Sequence, residues 1–497
     1  MLSLDLSGNQ LTTVNLSYCT LMTDCDLSNN LIAEIAMPAE HALRAFHCEN
    51  NSLNFSTLPQ LTDVADFTFA PQNKVAIVGK APSIDLQAHN INGQTVYVWK
   101  KTDGTPLAEG TDYLLTDGMT RFLQPVIGSM VFCEMSNPLY EGLTLVTTET
   151  EAADMPQHKL ATFTTLADGN ATMVLRAHEP ITLCIDWKGG GHSVESYTVD
   201  DNLTATPIVT HAGAECAIYS YSADCPLYVL NISDTPLADV DLTNLTNLVL
   251  VNLENAQLDR IKLPDTNTLT EIKLDKNRFS ELDLSRYAEQ LHLLSLNNNL
   301  FTSFNAAGMH GLFSLSMGGN QLQRITLDNR EMWNLDLSGN ALTEIDLSKV
   351  PQLNQLFLTN NQLHEIDLSA QADLHALHID YNRFSFSTLP LPSSQYGSYQ
   401  YGNQAELEVE ADENGVVDLS SEAMVGSNAT TFRWFVDYPW YDENTGELTG
   451  EELYIDEEYT VENGVTQFLS PIENVVCALL NDQFPNLTLY TKPMDVT

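Results

Sequence analysis

The sequence predicts a mostly β chain in which short coils stack into two solenoids, each followed by a two-sheet β module. Three observations carry that expectation. Residues 335–348 read LDLSGNALTEIDLS, and residues 4–17 read LDLSGNQLTTVNLS. The same phrase, loosened, recurs about every 21 residues between and around these two places. The segments after each array also match: LNFSTLP (53–59) with FSFSTLP (384–390), and FLQPVIGSMVFCEMSNPLYEGLTLVTTE (122–149) with FLSPIENVVCALLNDQFPNLTLYTKP (468–493). A repeat therefore sits inside a duplication.

The coils come first. The leading apolar residue of each LxL falls at Leu4, Cys25 and Phe46 in the first array. In the second it falls at Leu230, Val251, Ile272, Leu294, Leu315, Leu335, Leu356 and Leu377, in steps of 20 to 22 residues. A sustained period of this length marks a solenoid. Within LxL the two apolar residues alternate with an outward one, which is strand periodicity. Three residues after the second apolar position an asparagine recurs: Asn9, Asn30, Asn51, Asn277, Asn299, Asn320, Asn340, Asn361 and Asn382. A buried turn leaves backbone groups unpaired, and an amide side chain both donates to and accepts from them. Stacked coils are expected to line these amides into a ladder. Thr235 and Ala256 depart from the pattern in the first coils of the second array.

These residues resemble the leucine-rich repeat family, in the short-repeat form found in surface proteins of Bacteroides-type bacteria. The resemblance covers roughly 1–59 and 227–390. It implies a curved solenoid with a parallel sheet on its concave side and a ligand surface there.

The modules come next. VYVWKK around Trp99 and TFRWFV around Trp434 are each followed by a second strand with a cysteine, Cys133 or Cys477. This resembles the central strands of an immunoglobulin-type sandwich. PSIDLQA (82–88) and GVVDLSS (415–421) lack the usual partner cysteine, so Cys133 and Cys477 are expected as packed thiols. TTETEAADMPQHKL (147–160) reads as a polar linker. The alternating strands after it resemble the small β cap that precedes such arrays, with DWKGGG (186–191) in place of a DWGDG phrase. The expected organisation is a first array over 1–59, an immunoglobulin-like sandwich over 60–150, linker and cap over 151–226, a second array over 227–390 and a second sandwich over 391–497. By duplication, on the order of 150–200 residues are expected upstream of the first array, an export signal among them.

Composition narrows the function. The chain has 497 residues, 66 acidic against 21 basic, for a formal charge of −45. That potential repels phosphate backbones and anionic membranes, so nucleic acid is excluded as a partner. No apolar run approaches the ~18 residues of a membrane-spanning helix. Eight cysteines without a CxxC spacing point to neither zinc nor a disulfide framework. Cys25 and Cys48 occupy apolar repeat positions and are expected buried.

The outward strand positions of the second array define the candidate site: Asn252, Lys273, Ser295, Ser316, Asp336, Phe357 and His378, with Asp380 beside them. This mixed polar face suits a protein or peptide ligand, with Phe357 as an anchor. Asp336 and His378 lie two strand spacings apart, ~10 Å, so they do not share a metal ion. DENTGE (442–447) lacks the twelfth-position glutamate of a calcium loop and reads as an acidic hairpin turn. WKGGG has no following Lys-Ser/Thr, so it is no phosphate loop. No metal, cofactor or enzymatic activity is expected. The expected role is a cell-surface or secreted adhesion protein. The alternatives are a glycan-binding accessory protein, with Tyr438, Trp440 and Tyr441 as its aromatics, and a structural envelope stalk.

Overall fold

The computed structural model describes residues 2–77, 80–154, 156–186, 194–210, 212–442 and 445–497. It divides into two compact units: residues 1–227 with 239–245 and 262–264, and the remainder.

The period read from sequence is the period of the fold. In the second unit, Leu230, Val251, Ile272, Leu294, Leu315, Leu335, Leu356 and Leu377 face one another in register through one parallel sheet. Each is at most 1% exposed. The second apolar residue of each coil, from Ile232 to Ile379, is equally buried. The sheet runs one strand further than the repeat phrase, to Ser398–Gln400, with Tyr399 in the leucine position. The first array likewise continues past residue 59: Leu4, Cys25 and Phe46 are joined by Phe67 on the strand Asp66–Thr68. Phenylalanine and tyrosine hide these end coils from a search for leucine. Cys25 and Cys48 are buried, and burial pushes the Cys25 thiol up to about 12.

The asparagines form the expected ladder. Asn320 Nδ2 donates to the carbonyls of Leu296 and Met317, both at 2.9 Å, while its Oδ1 accepts the N–H of Phe301. Asn30, Asn51, Asn277, Asn299, Asn340, Asn361 and Asn382 repeat the arrangement, each bridging its own coil and the one before. Asn9 is exposed and reaches only carbonyls of its own coil, Leu6 and Ser7. Glutamine ends both ladders: Gln72 and Gln404 bridge to Cys48 and Ile379, and Leu53 and Phe384 donate to them. Ala256 needs no amide of its own, because its N–H reaches Asn277 Oδ1 at 3.1 Å. Thr235 donates locally to the Ser233 carbonyl. The residue before each ladder amide is left-handed, with φ between +53° and +68° from Asp234 through Tyr381. Asn and Gly fill most of these places because they tolerate that conformation.

The LDLS phrase has a local cause as well. Asp283, Asp346 and Asp367 each accept the backbone N–H of the serine two residues on. Bonds from the hydroxyl and backbone N–H of that serine hold all three carboxyls below their ordinary value of 3.8. A folded-state pKa below the unfolded one stabilises the fold above 3.8 and loses that contribution as pH falls through the folded value. Replacing all three by asparagine keeps the turn acceptors and removes the titration. The variant's melting temperature is expected to decline less steeply than the parent's from about pH 4 to about pH 2. Parallel declines would remove these turns from the account of acid stability.

Each array leads into a two-sheet module. In the first, the strands Ser83–Asp85, Met119–Phe122 and Tyr113–Thr116 form one sheet. Val96–Lys101, Met130–Ser136, Thr144–Val146, Thr150–Ala152 and Lys80–Ala81 form the other. Trp99 pairs with Cys133 across the larger sheet and donates from Nε1 to Thr120 Oγ1 of the smaller one. Trp434, Cys477 and Thr466 repeat this in the second module. Cys133 and Cys477 are buried free thiols, as expected. The expected linker departs from the sequence reading. Thr150–Ala152 is a buried strand of the first module and His158–Thr165 is a strand of the next sheet, so about half of 147–160 is paired in sheets. Its polar residues alternate with Ala152 and Leu160, and sheet pairing overrides composition there. Strands between His158 and Ser220 build the small β domain. Of DWKGGG, only Asp186 lies within the described residues.

Candidate functional site on the second array

The nine parallel strands carry three outward rows. The central row runs, in register, through Asn231, Asn252, Lys273, Ser295, Ser316, Asp336, Phe357, His378 and Gln400. Every candidate residue except Asp380 therefore lies in one row, and Asp380 stands two residues beyond His378. The backbone ladder sets these positions, so the row is presented on a rigid element.

The row divides by what its side chains already do. Asn252 is occupied with its own turn, accepting the Glu254 N–H. Lys273 lies 3.7 Å from Glu271 on the same strand. Ser295 donates to Asp275, which also accepts the backbone and side-chain N–H of Asn297. This network was not foreseen from sequence, because its members belong to adjacent coils. Gly318 beside it leaves room that a Cβ would lose to Asn297 Oδ1 at 3.2 Å and the Ser338 carbonyl at 3.3 Å. The result is a shallow depression of about 370 Å³ lined by Asp275, Asn297, Gly318, Asp336, Ser338 and Thr359, among others.

At the other end, Phe357 is half-buried and packs edge-on against the His378 ring, with centroids 4.8 Å apart. His378 Nε2 pairs with Ser398 Oγ at 2.8 Å, and Asp380 accepts the Thr359 hydroxyl at 2.7 Å. Burial lowers the His378 pKa, while Asp380 and Asp336 act in the opposite direction. The imidazole is thus neutral at physiological pH and behaves as a polar wall beside Phe357. Among the described residues, no three His, Cys, Asp or Glu side chains converge on a point where a metal ion could sit.

Larger depressions, of about 650, 540 and 530 Å³, lie away from this row, the first and last at the turn containing Asp283 and the second at those containing Asp346 and Asp367. Their acidic groups include these turn acceptors together with Glu281, Glu344 and Glu365. The aromatic trio of the second module is exposed, and its two hydroxyls are engaged: Tyr438 donates to Glu406 and Tyr441 bonds Thr488, while Trp440 is the most exposed of the three. These residues end the strand Thr431–Tyr441, which pairs with Leu448–Glu452 as a hairpin. That is the acidic turn expected at 442–447, of which 443 and 444 lie outside the described residues.

A row of side chains one place before the sheet escaped the sequence reading. Phe313 and Trp333 are exposed there with parallel rings, 5.9 Å between centroids and 2° between planes. The available signal was their shared phase, two residues before Leu315 and Leu335.

The parallel in-register sheet, the asparagine ladder and the period near 21 define a β-solenoid of leucine-rich-repeat type. No family model matches the chain, and no curated protein matches it. Among solved structures it is similar to one described as the functional domain of InlJ from Listeria monocytogenes, which includes a cysteine ladder. The two are 17% identical with a TM-score of 0.28, over 51% of this chain and 68% of that one. Among the described residues, no helix is long and apolar enough to cross a membrane.

Proposed function

We propose that the chain is a non-enzymatic adhesion or binding protein of the bacterial cell surface, or a secreted one, that offers the sheet face of its second array to a protein or peptide ligand. The observation that carries this reading is the Asp336–Phe357–His378 run. It is an aromatic ring held half-buried between a carboxylate and a neutral imidazole, on three consecutive strands that the ladder keeps in register. An anchoring aromatic ringed by polar groups is the usual energetic centre of a protein interface. The two-sheet modules serve in this reading as immunoglobulin-like spacers, and the repeat phrasing fits surface proteins of the Bacteroides type. The charge of −45 favours a ligand with a basic rim.

Pull-down from extracellular protein fractions tests it, with the parent chain, Phe357→Ala and Asp336→Ala as baits. A ligand retained by the parent is expected to weaken at least about ten-fold with Phe357→Ala, as for an interface hot spot. A ligand held equally by all three baits would take this face out of the function.

A further inference from the structure

The row containing Phe313 and Trp333 is placed by the backbone as firmly as the sheet. The Phe313 N–H donates to the His292 carbonyl, Trp333 to Phe313, Asn354 to Trp333 and His375 to Asn354. Five consecutive coils therefore set His292, Phe313, Trp333, Asn354 and His375 side by side along the edge where the strands begin. Phe313 is 49% exposed and Trp333 38%, although both are large apolar groups that folding ordinarily covers.

Their neighbours carry hydrogen-bonding capacity that the fold leaves unused. Among the described residues, His292 and His375 make no side-chain hydrogen bond, and both are exposed. Asn354 spends its Nδ2 on the Asp373 carbonyl at 2.8 Å, which leaves its Oδ1 free to accept. Gly397 leaves the space that the His375 ring fills, since a Cβ there would overlap the imidazole.

From this we infer a second binding site, distinct from the sheet face, for a neutral glycan. Aromatic rings offer apolar faces to the C–H side of a sugar ring, and the flanking imidazoles and amide oxygen exchange hydrogen bonds with its hydroxyls. The row itself bears no carboxylate or fixed cation, so nothing in it selects a charged ligand. The surrounding charge of −45 repels sulfated, sialylated or uronate-rich chains. Neutral hexose polymers are the class that fits both facts. The site does not depend on the protein-ligand reading and does not share its residues.

Affinity electrophoresis of the full chain tests it, in native gels containing a neutral glucan, mannan or galactan, against gels containing a sulfated polysaccharide or a polyuronate. Retardation by at least one neutral polymer is expected, with none by the acidic ones. Trp333→Ala is expected to weaken the retarding affinity about ten-fold, Phe313→Ala comparably, and Trp333→Phe only slightly. Trp440→Ala, which removes the exposed tryptophan of the second module, is expected to migrate as the parent does, and loss of retardation in that variant with Trp333→Ala unchanged would place the glycan on the module and overturn the proposal. Unchanged melting temperatures in the Trp333 and Phe313 variants exclude misfolding as the cause. Absence of retardation by all three neutral polymers, equal retardation by acidic ones, or full retardation of Trp333→Ala would each overturn the proposal. Loss of the protein ligand on Trp333→Ala, without any glycan binding, would instead assign the row to the protein interface and overturn it equally.

Discussion

Asn320→Ala is expected to lower the stability of the second array by about 3–5 kcal/mol. The amide is 7% exposed and joins three backbone groups: the carbonyls of Leu296 and Met317 and the N–H of Phe301. Alanine leaves all three in a turn where water has little access, and each buried unsatisfied group costs about 1–3 kcal/mol. Asn9→Ala is the internal control. That amide makes two bonds within its own exposed coil, so its loss is expected to cost no more than about 0.5 kcal/mol. Calorimetric melting of both variants decides the matter. Equal losses would mean that the ladder amides act through local turn propensity and not by joining coils.

Trp434→Ala carries the other large effect, about 3–5 kcal/mol from lost burial and the cavity left behind. The indole is fully buried, lies edge-on to Phe468 at 4.8 Å and donates to Thr466 Oγ1 at 3.1 Å. It joins the two sheets of its module, since Thr466 and Phe468 lie on the strand Val465–Phe468 of the smaller sheet. Thr466→Val separates the packing from the polar part. It keeps the volume and orphans one indole N–H, for a loss of about 1–3 kcal/mol. The same pair of changes at Trp99 and Thr120 should reproduce both values, because the geometry is duplicated. A Thr466→Val loss as large as that of Trp434→Ala would show that the hydrogen bond, and not the packing, holds the sheets together.

Features repeated within the LxL and asparagine phrase were legible in the sequence, and those outside that phrase were not. Leu230 to Leu377 and Asn277 to Asn382 declare their neighbours by spacing, since a residue one coil away in sequence is one strand away in space. The central row of the candidate site follows from the same rule. Gln72 and Gln404 escaped because they satisfy the ladder with a different amide, and Phe67 and Tyr399 because they fill a leucine position with a ring. The Phe313–Trp333 row escaped because its phase falls just outside the strand. The strand at Thr150–Ala152 escaped because its partners, Met130–Val131 and Lys80–Ala81, are remote in sequence.

The amino-acid sequence by itself determined that the chain stacks coils of about 21 residues, that amides bridge them, and that an array-and-module plan is written twice. A stack is one-dimensional, so order along the chain becomes order in space. Only the tertiary structure decided where the arrays stop, which side chains of the open face are already engaged by neighbours, and which rings remain exposed. Those outcomes depend on side chains from different coils competing for the same partners, and spacing alone does not resolve that competition.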